Sequence, residues 1–264
     1  MFEGMSDHAI LFIFALIILA VSMAGACIPS LKKMDPRQVH LMVALSAGIF
    51  LGILFFTLLP ETFEAGEDSG MNAAPWIVGG FLVVLLVDVI LKRRHMDACA
   101  CEKCDNNHGH ELTSASAFIG LAIHAAVDGV VISIALGAGE LVGIAAFIAI
   151  ALHKFVELFA LSSTFMLTGL GKKDILIYML LFALITPVAA LVSMPLVDII
   201  SDVSIVIPMA VAAGTFMYVG VYALLREAFH ERRDSIISFA LVVTGIVIIA
   251  VISLLLGGDA HGHP

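Results

Sequence analysis

Apolar residues run along this chain in stretches of about 20, each broken by a short polar interval, and a helix of about that length crosses the hydrocarbon core of a bilayer. Eight such stretches occur, at 8–31, 38–60, 74–91, 112–137, 140–169, 174–200, 204–225 and 235–256. No interval between them is long enough for a soluble domain. The pattern therefore predicts an all-α membrane protein of eight transmembrane helices, with residues 1–264 forming one membrane domain.

Composition supports that reading. Hydrophobic residues make up 61% and charged residues 13% of the 264, with a mean hydropathy of +1.10, against roughly 45–50% and 25% in soluble domains. The first stretch lacks the positive flank of a signal peptide, since Glu3 and Asp7 precede it and Lys32 and Lys33 follow, so it reads as a retained span.

The basic residues set the orientation. Of the 13 Lys and Arg residues, all but Lys154 fall in the first, third, fifth and seventh loops, while the even-numbered loops and both tails carry acids instead. Cytoplasmic loops collect Lys and Arg, so both termini are expected outside. The net charge of −9 then makes the outer face attractive to cations and unfavourable to anions. No GxxxxGK[ST] phosphate loop occurs, and GLGKK at 169–173 lacks its spacing, so no nucleotide partner is expected. The expected surroundings are the lipid bilayer of a plasma or bacterial inner membrane, and no nucleic-acid partner is expected. Cys99, Cys101 and Cys104 fall in the third loop, about 92–111, on the reducing side of such a membrane, where thiols or metal ligands are favoured over disulfides.

Lys154 stands in the middle of the fifth stretch, between His153 and Glu157, and the fourth stretch carries His124 and Asp128 in HAAVDG. A charged side chain at a span centre costs roughly 2.5–3.5 kcal/mol, so Asp128 and Lys154 need compensation. His124 with Asp128, and His153 with Glu157, are each four residues apart and so share a helix face. The short turn GAGE at 137–140 folds the two spans into a hairpin. At 1.5 Å per residue, both histidines then lie about 21–23 Å below the turn. Asp128 sits about a turn further out and Glu157 about a turn further in. Two imidazoles and two carboxylates suit a divalent transition metal such as Zn²⁺. The alternative is that these groups only pair with one another, Lys154 with Asp128 or Glu157, to hold helices together. Asp88, four residues before Lys92, is explained by an ion pair near the cytoplasmic end.

These motifs carry a family resemblance. HAAVDG at 124–129, HKFVE at 153–157 and AGIFLGILFFTLLPE at 47–61 resemble the fourth, fifth and second spans of the ZIP (Zrt/Irt-like protein) metal transporters, and FALITP at 182–187 and AAGTFMYV at 212–219 resemble the sixth and seventh. The resemblance implies a ZIP-like helix bundle, uptake of Zn²⁺ or of Fe²⁺, Mn²⁺ or Cd²⁺ as transported substrate, no cofactor and no enzymatic activity. It also implies a homodimer, two groups of spans that move against each other, and a metal site at His124, Asp128, His153 and Glu157. The chain departs from many relatives at Ala125, Lys154 and Ala223, where a second metal would be held. Thr57 replaces a His or acid at the outer entrance. Lys154 is expected to limit the site to one metal.

The third loop, CACEKCDNNHGH, places Cys99, Cys101, Cys104, His108 and His110 close enough together for an accessory N/S metal site, or is a flexible loop with no such role. His261 and His263 in the tail invite the same two readings. Two rival functions fit less well. A cation-diffusion-facilitator exporter has six spans and usually a soluble domain. An intramembrane metalloprotease needs HExxH, but HKFVE places Lys where the base would stand.

Overall fold

The computed structural model describes residues 6–31, 35–98, 107–196, 206–230 and 234–257, and every described element is helical. Among the described residues, eight helices are long and apolar enough to cross a membrane: Asp7–Pro29 (α1), Arg37–Ser69 (α2), Ala74–Arg93 (α3), Ala117–Gly137 (α4), Glu140–Thr168 (α5), Lys172–Ser193 (α6), Val206–Ala228 (α7) and Ser235–Leu254 (α8). The chain is a multi-pass helical membrane protein.

Two boundaries differ from the hydropathy pattern. The second span does not end near residue 60 but runs on to Ser69, where Gly70 caps it at φ 67°. Glu61, Glu64, Glu67 and Asp68 therefore stand on a helix and not in a loop. Hydropathy stops at the edge of the apolar layer, whereas a helix continues until something satisfies its last carbonyls, here a left-handed glycine. The third loop is also shorter than 92–111: the α3 helix extends to Ala98 and the α4 helix begins at Asn107.

Local signals account for the other helix ends. The Ser6 hydroxyl accepts a hydrogen bond from the Ala9 amide at the start of α1. Pro36 fills the first turn of α2, where its missing N–H costs nothing, and Gln38 reaches back to the Asp35 amide. Between α4 and α5 a single residue, Gly139, makes the reversal at φ 148° and ψ 152°, a conformation essentially confined to glycine. The hairpin carrying the polar motifs is thus set by one residue.

The helices pack as two groups. In one, α1 lies against α5 and α4 against both α5 and α6; in the other, α2 pairs with α8 and α3 with α7. Lipid provides no hydrophobic drive between helices, so close backbone approach at small residues holds such pairs together. Each seam has its glycines. A Cβ on Gly25 would overlap the Phe155 carbonyl across α1–α5, one on Gly129 the Thr186 carbonyl across α4–α6, and one on Gly214 the Ile77 carbonyl across α3–α7. On α2 the spacing Gly48–Gly52 faces Val242 and Ile249 of α8, with Gly245 against Ile49 in return.

Hydroxyls stitch the first group further. Thr186 donates to the Ala125 carbonyl at 2.9 Å, Ser133 to the Ala190 carbonyl at 2.7 Å and Ser162 to the Ala26 carbonyl at 2.9 Å. At the end of the bundle where α2 and α8 begin, Arg37 grips Asp234 with two hydrogen bonds of 2.7 and 2.8 Å, and Lys92 lies 2.5 Å from Asp88.

Replacing Gly48 with Leu forces α2 away from α8, because the obstructing atoms are Val242 backbone. We expect Gly48→Leu to cost about 1–3 kcal/mol. A thermal melt of the protein in detergent reads this as a lowered midpoint, and an unchanged midpoint would contradict the seam.

Candidate metal site

The α4–α5 hairpin brings His124, Asp128 and His153 together so that one ligand atom from each lies within 4.8 Å of the others. The two imidazole rings are 5.7 Å apart, centroid to centroid, as expected for residues at equal depth below the turn. A single carboxylate oxygen is the focus. Asp128 Oδ2 lies 3.3 Å from His124 Nε2, 3.1 Å from His153 Nε2 and 2.8 Å from Lys154 Nζ. With metal–ligand bonds near 2.0–2.2 Å, donor atoms at neighbouring tetrahedral corners sit about 3.3 Å apart, so both His–Asp separations suit a common ion.

His124 has further reason to want a ligand. It is 1% exposed, and its Nε2 makes no proper hydrogen bond despite the nearby carboxylate. Buried polar atoms without partners are uncommon and call for an explanation.

Glu157 is arranged differently from the other three. Its carboxylate is fully buried and is held by the Lys154 ammonium, which bridges it to Asp128. Its second oxygen, Oε1, has no hydrogen-bond partner. Lys154 is itself 1% exposed and lies 5.9 Å over the Phe182 ring. Of the four ligands that spacing suggests, the structure gathers three and places Glu157 behind Lys154.

A cavity of about 350 Å³ opens on the three gathered side chains. Its walls are Ile53, Thr57, Leu58 and Glu61 of α2, Val142, Ala145, Ala146 and Ala149 of α5, and Met209, Ala212 and Phe216 of α7. The α5 wall lies between the Gly139 turn and His153, so the cavity leads from the site toward the end of the bundle that carries that turn. On the opposite side of the site, Phe50 and Phe216 stack with centroids 3.5 Å apart and an angle of 6° between the rings, and Phe216 also lies 4.7 Å from the His124 ring.

Glu61 is the residue that the hydropathy pattern assigns to an outer loop but the cavity claims. The π-helical turn Leu54–Leu58 widens α2 beside the site, and Leu59–Ser69 continues the helix beyond it. Such turns recur at functional sites. The signal was present in the sequence as the four-residue interval from Thr57 to Glu61, one helix turn outward on one face.

Cys99, Cys101 and Cys104 lie outside the described residues, as do His261 and His263. His108 and His110 fall on the first turns of the α4 helix, where side chains are likewise outside the described residues. Asp88 is paired with Lys92, as the i,i+4 spacing suggests, and the Lys92 ammonium also reaches the Tyr222 hydroxyl at 3.2 Å.

Comparison with known proteins accords with this architecture. The sequence matches the ZIP Zinc transporter family over residues 8–118 and 94–253. It is 26% identical to zinc transporter ZIP9-A of Xenopus laevis over 84% of this chain and 86% of that protein. It is 31% identical to zinc transporter ZIP9 of Micropogonias undulatus over 69% of this chain and 59% of the relative. With a family match across nearly its whole length and eight helices among the described residues long and apolar enough to cross a membrane, the chain belongs to the ZIP family of zinc transporters.

Proposed function

We propose that this protein carries Zn²⁺ across a plasma or bacterial inner membrane into the cytoplasm, binding it at mid-membrane between His124, Asp128 and His153. The observation that carries this reading is the convergence of three donors from two spans at the floor of an outward-leading cavity. Fe²⁺, Mn²⁺ and Cd²⁺ are substrates of the same chemical class, and a homodimer is the assembly we assign by family.

The donor set fits a transported ion better than a stored one. Structural zinc sites close all four positions with protein ligands, whereas three protein donors leave a position for water or a passing ligand. Glu61, on the facing helix, supplies a carboxylate at the cavity wall where an ion first enters. The acids that follow it on α2 raise the local cation concentration. All three donors belong to the group of α1, α4, α5 and α6, and Glu61 and Phe216 to the other. Sliding one group past the other then exposes the loaded site inward, as alternating access requires.

Lys154 restricts this site to one ion. Its ammonium already occupies the space between Asp128 and Glu157 that a second cation would share, and like charges across a few ångströms of poorly screened interior repel strongly.

Asp128→Asn keeps the shape of the site but removes its charge. It should lower zinc uptake into proteoliposomes at least about tenfold, and uptake at the wild-type rate would refute the site. Glu61→Gln should raise the half-saturating zinc concentration several-fold while changing the maximal rate less, and an unaltered concentration dependence would remove Glu61 from the entry path. Equilibrium binding to purified protein should find one buried Zn²⁺ per chain, with a second, adjacent ion only in Lys154→Asp. Two adjacent ions in the unmodified protein would overturn the single-metal assignment.

A further inference from the structure

A carrier with one ion site must return empty, and the charge of the empty site decides how readily it does so. Asp128 and Glu157 are both buried carboxylates, at 6% and 0% exposure, on the same group of helices as the metal donors. Without a counter-ion the vacated site would cross the low-dielectric layer with two negative charges, and each charge at that depth is costly. Lys154 lies in contact with both carboxylates. We propose that Lys154 is a tethered counter-cation whose ammonium bridges Asp128 and Glu157 in the empty site, so that the carrier resets without a second metal ion or other cation for the return journey. This inference rests on the transport reading above and extends it to the return step.

The charges follow from the residues. Counting both imidazoles as neutral in either state, the empty site carries one net negative charge and the loaded site one net positive charge. Removing the ammonium leaves two negative charges when empty and none when loaded. The loaded step is then not penalised, whereas the empty step is. A residue serving only to hold helices together would affect both steps alike.

Glu157 completes the device. In the empty site its buried carboxylate is bound to the ammonium and is absent from the cavity wall, so there it holds Lys154 in place and shares its charge. Lys154 also packs over Phe182 of α6, within the same group of helices. The ammonium therefore moves with the site it neutralises.

The test separates net movement from exchange. Purified protein in liposomes, with the membrane potential clamped to zero by valinomycin and equal potassium, is assayed for zinc entry into zinc-free vesicles and for radioactive zinc entry into zinc-loaded vesicles. Net entry needs the empty return, whereas exchange does not. Lys154→Gln should lose at least about tenfold in net entry while keeping exchange within about threefold of wild type. The double variant Lys154→Gln/Glu157→Gln restores one net negative charge to the empty site and should recover net entry. Equal loss of both fluxes in Lys154→Gln with no recovery in the double variant would overturn the proposal, as would net entry at the wild-type ratio in the single variant. Absence of both fluxes in the wild type would instead overturn the transport reading itself.

Discussion

One carboxylate oxygen organises the centre of this molecule. Asp128 Oδ2 faces two imidazole nitrogens and one ammonium, all within 3.3 Å. Each partner comes from the α4–α5 hairpin, so no second group of helices is needed to assemble the cluster. A buried carboxylate with such partners is far less costly than a bare one, and this tolerance lets a polar centre exist inside an apolar helix bundle. The single-residue reversal at Gly139 matters for the same reason. A longer turn would allow the two helices to slip in register and draw the histidines apart.

The packing around that centre is uneven in an instructive way. Within each group, glycines let backbones touch, and hydroxyls of Ser133, Ser162 and Thr186 bond to carbonyls of neighbouring helices. Between the groups lies the cavity, closed at the end away from the Gly139 turn by the Phe50–Phe216 stack and by contact of Phe216 with His124. Interlocked backbones resist sliding, whereas aromatic faces and open space resist it less. The difference between backbone contact within each group and side chains and open space between them is thus a consequence of where the small residues lie.

Much of this was legible in the sequence. The eight spans follow from apolar run length, and the shared depth of His124 and His153 follows from helical rise about a short turn. What was not legible depends on three-dimensional partnership. Glu61 falls at the end of the apolar run, and hydropathy cannot show that the helix continues or that a π-helical turn aims its face at the site. Glu157 has the same spacing from His153 as Asp128 has from His124, yet its carboxylate binds Lys154, a choice that depends on which oxygen the ammonium reaches. Spacing identifies candidate donors but does not say which of them are already occupied.

Three donors, and not four, converge at the floor of the cavity. Three protein donors leave the fourth position of a tetrahedral ion open to water or to a group on the facing wall. Glu61 stands on the helix group that does not carry the donors. On the proposed reading, any ligation it offers belongs to the arrangement in which the cavity is open and is lost as the groups slide, which weakens binding on the side where the ion leaves.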